Sequence, residues 1–174
     1  QKREVEAVWQ QLCPFCRESA PKTEEECLKR NMRRIERNDP VALCNEGSDQ
    51  WEKGDYIKAF EYWTRATELG NADAHSNLSC LYRLGTGVDK DSGKEFHHLE
   101  EAAIAGHPTA RHNLGCWEWY NDNDDRAVKH WVIAAAQGYN QSTKSLMNAF
   151  KRGFINKEHL AAALRFHQAA VDAA

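Results

Sequence analysis

An internal repeat constrains this chain more than any other feature. Written in blocks that end at a helix-stopping glycine, residues 38–174 divide into Asn38–Gly70, Asn71–Gly106, His107–Gly138 and Tyr139–Ala174, of 33, 36, 32 and 36 residues. Each block opens on a polar turn and then places Ala42, Ala74, Ala110 or Thr143. Three residues later stand Asn45, Asn77 and Asn113, followed in two blocks by Leu78 and Leu114. Small residues come next: Gly47, Ser79 and Gly115, then Ser48, Cys80, Cys116 and Ala149. A period of this size marks an array of supersecondary units, each unable to bury its apolar face alone.

The second half of each block is as regular when counted back from its last residue. Tyr62, His98, His130 and Phe166 lie eight before the end, and Ala66, Ala102, Ala134 and Ala170 lie four before it. Those spacings put apolar residues along one helical stripe. Gly70, Gly106 and Gly138 supply the left-handed residue that stops a helix cheaply. Each block therefore reads as helix, turn, helix, with small residues that let Trp63, Leu99 and Trp131 interlock across a close approach. The expected fold is all-α: an α-solenoid of four antiparallel helix pairs (38–70, 71–106, 107–138, 139–174).

Residues 22–37 read as a lead-in helix that caps the stack. Thr23 and Glu26 form a capping-box pattern, and Leu28, Met32 and Ile35 make a stripe able to cover the first repeat. Lys29, Arg30, Arg33, Arg34 and Arg37 crowd the other side. That cluster is either a docking patch for acidic protein, RNA or an import receptor, or a solvated helix end that complements the dipole.

Composition fits an elongated protein. A hydrophobic share of 41% with 28% charged residues suits a chain with much surface per residue. The net charge of −3 gives wholesale nucleic-acid binding little electrostatic backing. Mean hydropathy is −0.77, and the longest apolar stretch, Trp131 to Ala136, is too short for a bilayer. No charged-then-apolar leader opens the sequence, and the absence of an initial methionine at Gln1 implies that the chain begins upstream. Cysteines at 13, 16, 27, 44, 80 and 116 are too scattered for a disulfide framework, so a reduced intracellular setting, the cytoplasm, is expected.

The segments "NADAHSNLSCLYRLGTGVDKDSGKEFHHLEEAAIAG" and "ARHNLGC", with "RAVKHWVIAAAQG" after it, resemble Sel-one-like repeats, longer-looped relatives of tetratricopeptide repeats. The resemblance covers roughly residues 38–174; the fourth block departs most, with Leu146-Met147-Asn148 where N-L-G is expected. It implies a non-enzymatic adaptor that bridges proteins and accepts a peptide or helix in a groove lined by the first helices. By analogy, the contacts are Asn45, Asn77 and Asn113 with Arg83, His112 and Trp119; the alternative is that the asparagines brace neighbouring repeats.

Residues 1–21 carry the one locally chemical motif, Cys13-Pro14-Phe15-Cys16. Two thiolates at this spacing can hold one Zn²⁺ from the same side, and two further ligands are then needed from outside the chain. "LCPFCR" resembles the closing C-P-x-C of a RING finger, which would make the repeats the recognition arm of a RING-type ubiquitin ligase. A plain turn and a C-P-x-C redox pair are the other readings, the latter lacking the βαβ frame that depresses a thiol pKa. No cofactor is expected for the repeats themselves. His98 and His130 share a slot with Tyr62 and Phe166, which marks packing, and Cys80 and Cys116 share one with Ser48 and Ala149. Asn121–Asp125 lacks the glycine and distant Glu of a calcium loop, so Asp124 or Asp125 is expected to cap the next helix.

Overall fold

The structure, a computed structural model, describes residues 23–173. Over these residues the chain is helical, with no strand. The helices are α1 (Glu24–Glu36), α2 (Pro40–Glu52), α3 (Tyr56–Glu68), α4 (Ala72–Leu84), α5 (Ser92–Ile104), α6 (Pro108–Tyr120), α7 (Asp124–Ala136), α8 (Asn140–Lys151) and α9 (Lys157–Asp172). Each helix packs on the next, so α2/α3, α4/α5 and α6/α7 form pairs that stack in chain order into the expected solenoid.

Local chemistry accounts for most of the boundaries. The side chains of Asp39, Asp55, Asn71, Asp91 and Asn156 accept hydrogen bonds from first-turn amides, and His107 Nδ1 does the same for the Ala110 amide at 3.1 Å. Thr23 Oγ1 accepts from the Glu26 amide at 3.2 Å. Asp124 and Asp125 do not cap α7. Asn123 holds the cap position, without a side-chain bond, and the two aspartates sit in the first turn, where negative charge suits the helix dipole. Gly70, Gly106 and Gly138 turn the chain at φ 77°, 88° and 84°, a conformation that costs a residue with Cβ.

The small residues set the spacing within each pair. A methyl group placed on Gly47 would lie 2.5 Å from Trp63 Cδ1, and one on Gly115 would lie 2.7 Å from Trp131 Cδ1. Each glycine thus receives a buried indole from the partner helix, and the Trp63 Nε1–H donates to the Cys44 carbonyl at 3.0 Å. The middle pair solves the same problem with Ser79, on the first helix, and Leu99, on the second.

Counting from the helix caps corrects the register of the fourth block. Ala42, Ala74 and Ala110 stand three residues past their caps; in α8 that place belongs to Ser142, not Thr143. Met147 then occupies the position of Gly47, Ser79 and Gly115. No second helix closes over it as α3 and α7 do: Met147 stays exposed, and α9 packs on α7 as well as on α8. At the other end, only Ile35 of the expected α1 stripe packs against the core; Leu28 and Met32 remain exposed.

Candidate interaction groove

The first helices of the pairs, α4, α6 and α8, line two adjoining hollows. The larger, of about 480 Å³, lies between α4 and α6 over the start of α5. Arg83, Asn113, Trp117 and Tyr120 form its walls, with Glu95 and Leu99 from α5. The smaller, of about 150 Å³, lies between α6 and α8, with Trp119, Ser145 and Asn148 in its lining. Cys116 and Tyr120 border both, so the two hollows follow each other along one face. Tyr120 is 84% exposed, an unusual state for a large ring with no partner helix over it.

The six residues singled out from the sequence separate here. Arg83 and Asn113 line the larger hollow and Trp119 the smaller. Asn77 is half-buried, its Nδ2 3.9 Å from Cys44 Sγ on the preceding pair, which places it as a brace between repeats. Asn45 is exposed and lines neither hollow. His112 does not reach the groove surface. It is only 6% exposed, its Nδ1 lies 2.9 Å from Ser142 Oγ on α8, and its Nε2 lies 3.4 Å from Cys116 Sγ. Trp119 is also less available than its position suggests, because it packs against Trp131 and Phe154 at ring-centroid distances of 5.3 and 4.8 Å.

Tyr120, Glu95 and Asn121 are groove residues that the sequence reading missed. On α6 the larger hollow takes Asn113, Cys116 and Tyr120, at i, i+3 and i+7 along one helix face, whereas His112 turns into the stack and Trp119 lines the smaller hollow.

The electrostatics leave the Cys116 thiol beside the groove without an activating partner. His112 and Cys116 resemble a thiol–imidazole pair, but burial raises the Cys116 thiol and lowers the His112 imidazole, holding both neutral. An activated cysteine needs the reverse, a thiolate beside a cation. Burial, with Asp73 nearby, pushes the Cys44 thiol up to about 11. Burial also raises the Glu95 carboxyl, which Arg83 opposes across 3.9 Å. Among the described residues the four cysteines are free and no three His, Cys, Asp or Glu side chains gather as a metal site. Cys13 and Cys16, the expected zinc pair, lie outside the described residues. No described helix is long and apolar enough to cross a membrane.

The comparisons with known proteins agree with this architecture. The Sel1 repeat family matches residues 41–71, 72–107 and 108–139. The chain is 35% identical over 66 residues to cytochrome c oxidase assembly factor 7A of Xenopus laevis, a match covering 37% of this chain and 29% of that protein. A Sel1 repeat protein from Oxalobacter formigenes superposes with a TM-score of 0.72 at 23% identity, over 84% of this chain and 64% of that one. A protective antigen of uropathogenic Escherichia coli, described as having an SLR fold, superposes with a TM-score of 0.64 at 22% identity, over 88% and 34%. The chain thus spans less than two thirds of each of these proteins. The two superpositions speak to fold alone, whereas the three successive matches take in more than half of the chain. The chain belongs to the Sel1 repeat family, whose solenoids are generally non-catalytic protein-interaction scaffolds.

Proposed function

We propose that this chain is a non-enzymatic adaptor that receives a peptide or a helix of a protein partner in the groove across α4, α6 and α8. The observation that carries this reading is the exposed Tyr120 ring between two adjoining hollows, one of them large enough for a bulky side chain. Arg83, Asn113 and Asn121 surround that ring with donors able to bind a partner's backbone or side chains. Aromatic and arginine anchors set in a groove are the residues on which binding energy concentrates. His112 contributes from below, fixing the distance between α6 and α8 through Ser142, and Asn77 acts in the same structural way. Asn45 is exposed and lies outside both hollows. The related assembly factor is named for building an enzyme complex, a task that fits a holder of other proteins.

The test is selection of binders from a displayed peptide library, followed by Tyr120→Ala and Arg83→Ala. Both side chains are exposed, so the helical signal and melting temperature should stay put while affinity falls at least about tenfold. If selected peptides bind both variants as they bind the parent chain, the groove is not the docking site.

A further inference from the structure

One end of the groove has a chemistry that the proposed function leaves unused. Arg152, exposed at the end of α8, lies over the Trp119 ring at 4.9 Å and the Phe154 ring at 5.2 Å. Trp119 also lines the smaller hollow, so the ring beneath the guanidinium is one of that hollow's walls. The two rings meet edge to face at 74°, so the guanidinium is held against aromatic surface on two sides and keeps N–H groups to offer an acceptor. No carboxylate pairs with Arg152 among the described residues. The other groove arginine is different, since Arg83 already faces Glu95. Residues 139–157 contain Lys144, Lys151, Arg152 and Lys157 and no Asp or Glu. The acidic turn Asp122–Asp125 belongs to the preceding pair and forms no ion pair with any of them. This end of the groove is thus a cation with no carboxylate partner among the described residues, beside a hollow walled by Trp119, Tyr120 and Trp131 together with Ser145 and Asn148.

We propose that the segment bound in the groove is acidic where it crosses α8. A partner carboxylate, placed beyond an apolar side chain seated against Tyr120, is taken by the Arg152 fork, with Lys151 and Lys144 adding positive potential. Neighbouring helices stand about 10 Å apart, which an extended strand covers in roughly three residues. The motif is therefore an apolar anchor with Asp or Glu about three positions away. The inference rests on the groove reading and adds the charge of the occupant to it.

The experiment uses three synthetic peptides of about twelve residues with the same Leu-Phe anchor. Their ends beyond the anchor carry Glu-Glu-Asp, Gln-Gln-Asn or Lys-Lys-Lys, and binding to the full chain is read by fluorescence anisotropy. The acidic peptide should bind about tenfold more tightly than the amide peptide, and the lysine peptide most weakly. Arg152→Gln should remove most of that preference while leaving the amide peptide within about twofold. Arg152→Lys should restore only part of it, because an ammonium lacks the fork. If Arg152→Gln lowers the melting temperature, the parent chain carries the test: from about 50 to about 300 mM salt, the acidic peptide must weaken and the amide peptide must not. Equal affinities for the acidic and amide peptides overturn the inference and leave the groove reading standing. Tighter binding of the lysine peptide, or of polyphosphate over the acidic peptide, also overturns it. If none of the three peptides binds, or if Tyr120→Ala weakens none of them, the groove reading falls and this inference with it.

Discussion

Adding a single methyl group at Gly47 should unfold this protein more easily, although alanine is the better helix former. The new carbon would lie 2.5 Å from both Cδ1 and Nε1 of Trp63 and 3.0 Å from Cγ. Ordinary carbon contacts lie at about 3.5–4.0 Å, so the indole must retreat by roughly 1 Å. Trp63 is buried and held by its bond to the Cys44 carbonyl at 3.0 Å, so retreat both crowds the core and strains that bond. Overpacking costs about 1–3 kcal/mol and a weakened hydrogen bond about 1 kcal/mol, against a gain of about 1 kcal/mol in helix propensity. The net loss should be about 1–3 kcal/mol, or a melting temperature lower by about 2–4 °C per kcal/mol. Urea titration followed by circular dichroism measures it, with Trp63→Leu as the second arm of a double-mutant cycle. In the leucine background, which imitates the Ser79–Leu99 pair, Gly47→Ala should cost nothing. A Gly47→Ala chain as stable as the parent, or the same cost in both backgrounds, would refute the account of why small residues recur.

Three further outcomes follow from the packing. His75 and His98 face each other across α4 and α5 with their Nδ1 atoms 3.0 Å apart, an arrangement that holds with neutral rings. Burial, together with His75, His97 and Lys94, depresses His98 to about 4, below its unfolded value of about 6.5. Stability should therefore be full above pH 6.5 and fall as the pH drops towards 4, by about 1–2 kcal/mol at pH 5 after allowance for solvent screening. Melts at pH 7.5 and 5 should differ less for His98→Phe; an unchanged difference would show that other groups carry the effect. Ser142→Ala should cost about 1–2 kcal/mol in urea, because the residue fits where the other repeats have alanine but the buried His112 Nδ1 loses its partner. Glu118, 1% exposed, has its Oε1 3.0 Å from Arg126 Nη2, and its Oε2 accepts from Asn123 Nδ2 at 2.9 Å. Arg126→Ala should thus cost about 2 kcal/mol and Glu118→Gln less, since an amide needs no counter-ion; unchanged stability in Arg126→Ala would mean that the pair contributes nothing.

The stack was legible in the sequence because its determinants are local and repeated. Glycines that must turn left-handed, and small residues opposite Trp63 and Trp131, announce themselves by type and spacing. The fourth block was misread by one residue because its N-L-G mark is replaced by Leu146-Met147-Asn148, leaving only small residues, which Ser142 and Thr143 supply equally well. The groove was legible only in part. His112 and Asn113 differ by one step, about 100° around the helix, and composition does not say which of them faces the stack. Tyr120 is a residue type equally at home in a core, so its exposure depends on what the neighbouring helices leave uncovered. The Arg152 stack joins α6 to the turn after α8 and has no counterpart in the other repeats from which it could be inferred.

The looser packing of α9 on α8 has a mechanical consequence. The far wall of the smaller hollow is mounted on the least tightly closed of the helix pairs, which favours local opening there. A segment that grips Tyr120 on one side and α8 on the other ties this loose end to the firm middle of the stack. Occupancy and rigidity then rise together, and slower amide exchange in α8 and α9 on binding would be the trace of that tether.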